Sequence, residues 1–74
     1  MYVIITRDQC NFCDDAKALM LANGIGYVEY NIQSSSSKWL LSLLKRSSIT
    51  TVPQVFNDKG THIGGYTELK EYLS

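Results

Sequence analysis

The run Tyr2-Val3-Ile4-Ile5-Thr6 constrains this chain more than any other segment. It is nearly all apolar and β-branched. Such a run reads as a strand buried on both faces, which suits the centre of a parallel sheet. Asp8-Gln9 breaks the pattern. From Phe12 the spacing becomes helical, with Phe12, Ala16, Leu19 and Met20 on one face. Asp14 and Asp15 fall in the first turn, where carboxylates suit the helix dipole, and Asn23-Gly24 supplies a stop. Tyr27 to Ile32 alternates, with Val28, Tyr30 and Ile32 on one side, and predicts a second strand. Strand, helix and strand within about 30 residues make a right-handed βαβ unit.

The second half is shorter in its elements. Ser34 to Ser37 reads as a loop ending in a helix N-cap. Trp39, Leu40, Leu43 and Leu44 then form a core-facing stripe, with Lys45 and Arg46 near the helix end. Val55-Phe56 begins a short strand after Pro53. Asn57-Asp58-Lys59-Gly60 is turn chemistry, and Thr61-His62-Ile63 returns as the partner strand, interrupted by Gly64-Gly65. Tyr66 to Leu73 predicts a last helix, with Leu69, Tyr72 and Leu73 available for packing. The order is β-α-β-α-β-β-α, an α/β chain with no repeat and no internal boundary. We expect residues 1–74 to form one domain.

Composition narrows the function classes. The 74 residues carry seven basic and seven acidic side chains, so the formal net charge is zero. Nothing in that balance recommends nucleic acid or an anionic membrane as partner. The apolar run Val3-Ile4-Ile5 is too short for a signal-peptide core or a membrane span. A cytoplasmic, reducing compartment is the expectation. Chains this short bury only about 60% of their unfolded surface, so stability is marginal. The two cysteines could close a loop of only four residues, which constrains the unfolded chain too little to serve as a structural staple.

Cys10-Asn11-Phe12-Cys13 is where the chemistry concentrates. Thiolates, not thiols, attack disulfides. Cys10 stands just before the first helix, where free N–H groups and the positive dipole end stabilise a negative sulfur. Arg7, three residues earlier, adds positive charge. Asp14 and Asp15 would oppose it unless they face solvent. Cys13, inside the first turn, should be less exposed and suits the resolving role. Other readings of the pair stay open on spacing alone: two inert packing cysteines, or half of a zinc site. Zinc needs four ligands, and the single histidine, His62, lies far along the chain and reads as a solvated strand residue. C-x-x-C beside a βαβ unit favours redox chemistry.

Three segments taken together resemble the glutaredoxins of the thioredoxin-fold superfamily. They are Thr6-Arg7-Asp8-Gln9-Cys10-Asn11-Phe12-Cys13, Thr51-Val52-Pro53-Gln54-Val55-Phe56 and Gly64-Gly65-Tyr66-Thr67-Glu68-Leu69. The resemblance covers essentially the whole chain. It implies a thioredoxin-like fold: a four-stranded mixed sheet flanked by three helices. It implies a cis peptide before Pro53, with the Val52 backbone exposed beside the cysteines so that an incoming cysteinyl segment can pair with it like an added strand. It places the γ-glutamyl end of glutathione at Gly65, Tyr66 and Thr67, with Thr67 as an uncharged N-cap where the family usually has aspartate. It makes Arg7 the candidate for the glutathione glycine carboxylate. Phe12, at the family's aromatic position, either walls the groove or packs in the core, and Tyr66 carries the same two readings. Asn11 stands where many members have proline.

The function so implied is glutathione-dependent thiol–disulfide exchange. Cys10 and Cys13 are its catalytic pair, and Arg7, Phe12, Thr51, Val52, Pro53, Gly65, Tyr66 and Thr67 line the glutathione site. Glutathione enters as co-substrate, with no permanently bound cofactor and no metal. The expected partners are disulfide-containing proteins, and the chain is expected to be a monomer. Two alternatives stand beside it: a redoxin reduced by thioredoxin reductase that serves ribonucleotide reductase, and a carrier that bridges an iron–sulfur cluster between two subunits.

Overall fold

The computed structural model describes residues 1–47, 49 and 51–74. Seven elements follow in the order β1 (Tyr2–Thr6), α1 (Asn11–Ala22), β2 (Tyr27–Asn31), α2 (Trp39–Arg46), β3 (Gln54–Phe56), β4 (His62–Gly64) and α3 (Tyr66–Leu73). The sheet order is β2-β1-β3-β4. β1 pairs parallel with β2, Tyr2 opposite Tyr27 through Thr6 opposite Asn31. Its other edge pairs antiparallel with β3, and β3 pairs antiparallel with β4. The β-branched run thus occupies an interior strand of a mixed sheet, where both edges are hydrogen-bonded and both faces can be covered. The element order is the one expected from the residues, and the sheet is the thioredoxin-like architecture that the resemblance implied.

Alternation along β1 divides the core. Ile4 points to a cluster with Ala16 and Met20 of α1, Val55 of β3 and Leu69 of α3, all wholly buried. Ile5 points to the opposite face and meets Leu40 and Leu44 of α2, with Ile32, Ile49, Val52 and Phe56 around them. One face therefore carries α1 and α3, the other α2. Thr6 ends β1 on the α1 face with its side chain buried. Its hydroxyl donates to Glu29 at 2.6 Å, and Lys17 of α1 donates to the same carboxylate oxygen at 3.2 Å. A buried hydroxyl needs such an acceptor. The bond from Thr6 is the main reason the Glu29 carboxyl titrates below its ordinary value, and Lys17 adds to it against the opposing effect of burial.

Several boundaries and faces differ from the sequence reading. α2 is eight residues long, and only Leu40 and Leu44 of the four-residue stripe are buried; Trp39 and Leu43 are about half exposed. So short a helix covers Ile5 and Ile32 but cannot also cover β2, and Val28 and Tyr30 of the same sheet face remain exposed. Lys38, not a serine, occupies the N-cap of α2 and makes no side-chain cap bond. The serines instead form a turn in which Ser37 N donates to Ser34 O. Phe12 is 61% exposed, so the buried face of α1 is Cys13, Ala16 and Met20. Gly64 does not interrupt β4 but ends it.

Candidate active site

Both cysteines lie where β1 hands over to α1. Gln9, the residue before them, has φ 54°, the only positive value at a non-glycine among the described residues. That turn makes Cys10 the N-cap of α1, with extended backbone and its sulfur accepting the Cys13 N–H at 3.1 Å. The two sulfurs are joined in a disulfide across a Cα–Cα distance of 5.2 Å. Cys10 is half-buried, whereas Cys13 is 1% exposed behind it. The Cys13 N–H thus points at the Cys10 sulfur from the first helical turn, an arrangement that stabilises a thiolate. Asp14 and Asp15 are exposed, and the Asp14 carboxylate lies 3.7 Å from Lys17 Nζ.

The Val52-Pro53 peptide is cis, as the resemblance implied. Val52 O lies 4.0 Å from the Cys10 sulfur. Pro53 is buried beneath this turn, and Gly65 passes so close that a Cβ there would stand 3.4 Å from Pro53 O. Beside the turn opens a groove of about 610 Å³. Arg7, Cys10, Phe12, Thr51 and Val52 line it, five of the ten residues singled out from the sequence. Gln9 and Asn11 line it beside Cys10, and Ile32, Leu44, Lys45 and Ile49 complete its wall. Spacing in the sequence could not find these four, because α2 and the approach to β3 reach the groove only by folding over the sheet. Lys45 had been visible only as a helix-terminal charge.

Gly65, Tyr66 and Thr67 are not among the residues that line that groove. Phe12 connects the two regions, its ring centroid 6.0 Å from that of Tyr66. Tyr66 also packs against the α1–α3 core cluster, so it serves as wall and packing residue together. Thr67 is not the N-cap of α3: Gly65 is. Gly65 N donates to Glu68 Oε1 at 2.7 Å, so a carboxylate from the chain itself occupies that donor. The double glycine makes this possible. Gly64 has φ 126°, and a Cβ there would stand 2.8 Å from Glu68 Cβ. His62 is exposed, as expected, and stacks on Phe56. Among the described residues, no three side chains of His, Cys, Asp or Glu converge as a metal site would need, and no helix is long and apolar enough to cross a membrane.

A thioredoxin-like sheet whose first helix opens on a closable C-x-x-C pair defines a thiol–disulfide oxidoreductase. Comparison with known proteins narrows the class. A glutaredoxin family model matches residues 2–63. Glutaredoxin 3 of Escherichia coli K12 is 41% identical over 66 residues, spanning 89% of this chain and 77% of that protein. The crystal structure of glutaredoxin 1 from Francisella tularensis, complexed with cacodylate, superposes with a TM-score of 0.76 at 36% identity, covering 95% of this chain and 87% of that one. A buckwheat glutaredoxin–glutathione complex gives a TM-score of 0.80 at 30% identity, over 95% and 64% of the two chains. The chain belongs to the glutaredoxin family.

Proposed function

We propose that this protein reduces protein disulfides and glutathionylated thiols at the expense of glutathione, as a single domain acting in the cytoplasm. The observation that carries this reading is the inequality of the two sulfurs. Cys10 sits at the helix N-terminus on the rim of the groove, and Cys13 is buried behind it. The likeness to a glutaredoxin solved with glutathione bound supports the choice of co-substrate.

In the reduced protein, the Cys10 thiolate attacks one sulfur of a substrate disulfide. A mixed disulfide forms, and the other substrate sulfur leaves as a thiolate. Cys13 then attacks the Cys10 sulfur, closing the pair and releasing the reduced substrate. Two glutathione molecules reopen the pair: the first forms a mixed disulfide with Cys10, and the second removes it as oxidised glutathione. With a glutathionylated substrate, Cys10 attacks the glutathione sulfur directly, and only the second of these reductions is required.

Glutathione would run from the groove past Phe12 to the start of α3. Arg7 is the cation for its glycine carboxylate, and Lys45 adds a second positive charge on the same wall. The Thr51–Val52 backbone pairs with the cysteinyl residue. Phe12 walls the thiol end. The γ-glutamyl carboxylate falls to the N–H groups of Tyr66 and Thr67, since that of Gly65 is already bonded to Glu68. Turnover of a small glutathione mixed disulfide, coupled to glutathione reductase, tests the assignment. Wild type should turn over, Cys10→Ser should lose activity by at least about a hundredfold, and Cys13→Ser should keep deglutathionylation while losing protein-disulfide reduction. Full turnover by Cys10→Ser would refute it.

A further inference from the structure

Gln54, at the start of β3, is 7% exposed and uses its whole amide. Its Nε2 donates to Thr51 O at 2.9 Å and to Thr51 Oγ1 at 3.3 Å. The remaining atom, Oε1, lies 2.6 Å from His62 Nε2. With the amide nitrogen committed to Thr51, Oε1 is the acceptor and His62 Nε2 is the donor. The sheet register explains the reach. His62 pairs with Phe56 across the β3–β4 ladder, and Gln54 is the diagonal neighbour on the same face. The His62 ring also stacks on Phe56, with centroids 4.9 Å apart.

A chain of three side chains thus runs from the outer strand to the groove wall. Its last member, Thr51, lines the groove with Val52, whose carbonyl faces the Cys10 sulfur. We propose that His62 is a positioning residue: acting through Gln54, it holds the Thr51–Val52 wall against which the substrate's cysteinyl segment docks. The inference rests on the substrate reading above for its kinetic consequence, but not for its structural one. His62 touches neither cysteine, so it acts on substrate docking and not on the Cys10 thiolate.

His62→Phe keeps a ring for Phe56 and removes the donor; Gln54→Leu removes the link. In the glutathione-coupled assay, His62→Phe should raise KM about two- to tenfold, the span of one neutral hydrogen bond, with kcat within about twofold of wild type. Alkylation of Cys10 in the reduced protein should proceed at the wild-type rate. His62→Gln, which restores a donor, should recover most of the lost KM. In the Gln54→Leu background, His62→Phe should add no further change, because coupled residues are not additive. An unchanged KM, or additive effects in the double variant, would overturn the proposal. The ¹⁵N-amide signals of Thr51 and Val52 decide the coupling without substrate: they should shift in His62→Phe, but not when Gln54 is already leucine. If wild type fails to turn over glutathione while these shifts appear, the substrate assignment fails and the positioning chain stands. Absence of the shifts overturns the chain.

Discussion

Phe12 shows how much a single side chain can hide from its sequence. Its spacing with Ala16, Leu19 and Met20 places it on the core face of α1, yet it is 61% exposed, on the groove and beside Tyr66. A helical stripe extended by one position crosses from core to rim at the first turn, where α1 leaves the end of β1 beside the groove. Its exposure has a measurable consequence. Phe12→Ala should cost less than about 1 kcal/mol of stability, far below the 3–5 kcal/mol of a buried phenylalanine. The KM for glutathionylated substrate should nevertheless rise several-fold. Urea unfolding and steady-state kinetics on the same preparation separate the two effects. Glu68 makes the converse point: it stands in the first turn of α3, and only its bond to Gly65 shows that the chain caps its own last helix.

At the scale of elements, Thr6, Glu29 and Lys17 join β1, β2 and α1 just below the active-site turn. The bond from Thr6, helped by Lys17, holds the Glu29 carboxyl below its ordinary 4.5. A carboxyl with a lowered folded-state pKa contributes stability that is present above the unfolded value and lost as pH falls through the folded one. Burial alone would lower the Lys17 pKa, but its bond and charge partner Glu29 outweigh that and raise it above 10.5. Its contribution is therefore present below that value and lost at higher pH. Glu29→Gln should flatten the loss of stability between about pH 5 and pH 2, measured as urea midpoints, while moving the neutral-pH midpoint only modestly, since Glu29 is a third exposed. A wild-type acid profile in that variant would place the titration elsewhere. The elements themselves were largely legible. α3 runs over the expected Tyr66–Leu73, and β1 over Tyr2–Thr6. The cap of α2 was not, because a serine run offers many hydroxyls and the local turn from Ser34 to Ser37 used none of them for capping.

Across the whole molecule, the α2 side of the core and the groove share residues. Leu44 is 8% exposed, packs against Ile5 and Leu40, and also lines the groove. Met20 is wholly buried in the opposite cluster, remote from the groove. Either residue truncated to alanine should lose about 2–5 kcal/mol, a large fraction of what so small a fold possesses. Only Leu44→Ala should also raise KM, measured at a temperature where both variants remain folded. Equal kinetic effects from the two would show that the groove senses global stability rather than its own wall.

By itself, the sequence determined the architecture and the chemical pair. The β-branched run, the helical spacing after it and the alternation of Tyr27 to Ile32 are local periodicities, and local periodicity survives without knowledge of partners. Cys10 at the helix start and Cys13 inside it follow from that same local order. Tertiary structure alone decided which faces are covered and what meets the cysteines. An eight-residue α2 leaves Trp39, Leu43, Val28 and Tyr30 exposed. Folding brings Lys45 and Leu44 to a groove they are distant from in sequence. It also links His62 to Thr51 through Gln54. Exposure and long-range hydrogen bonds depend on element lengths, crossing and register together, and no single stretch of residues carries that information.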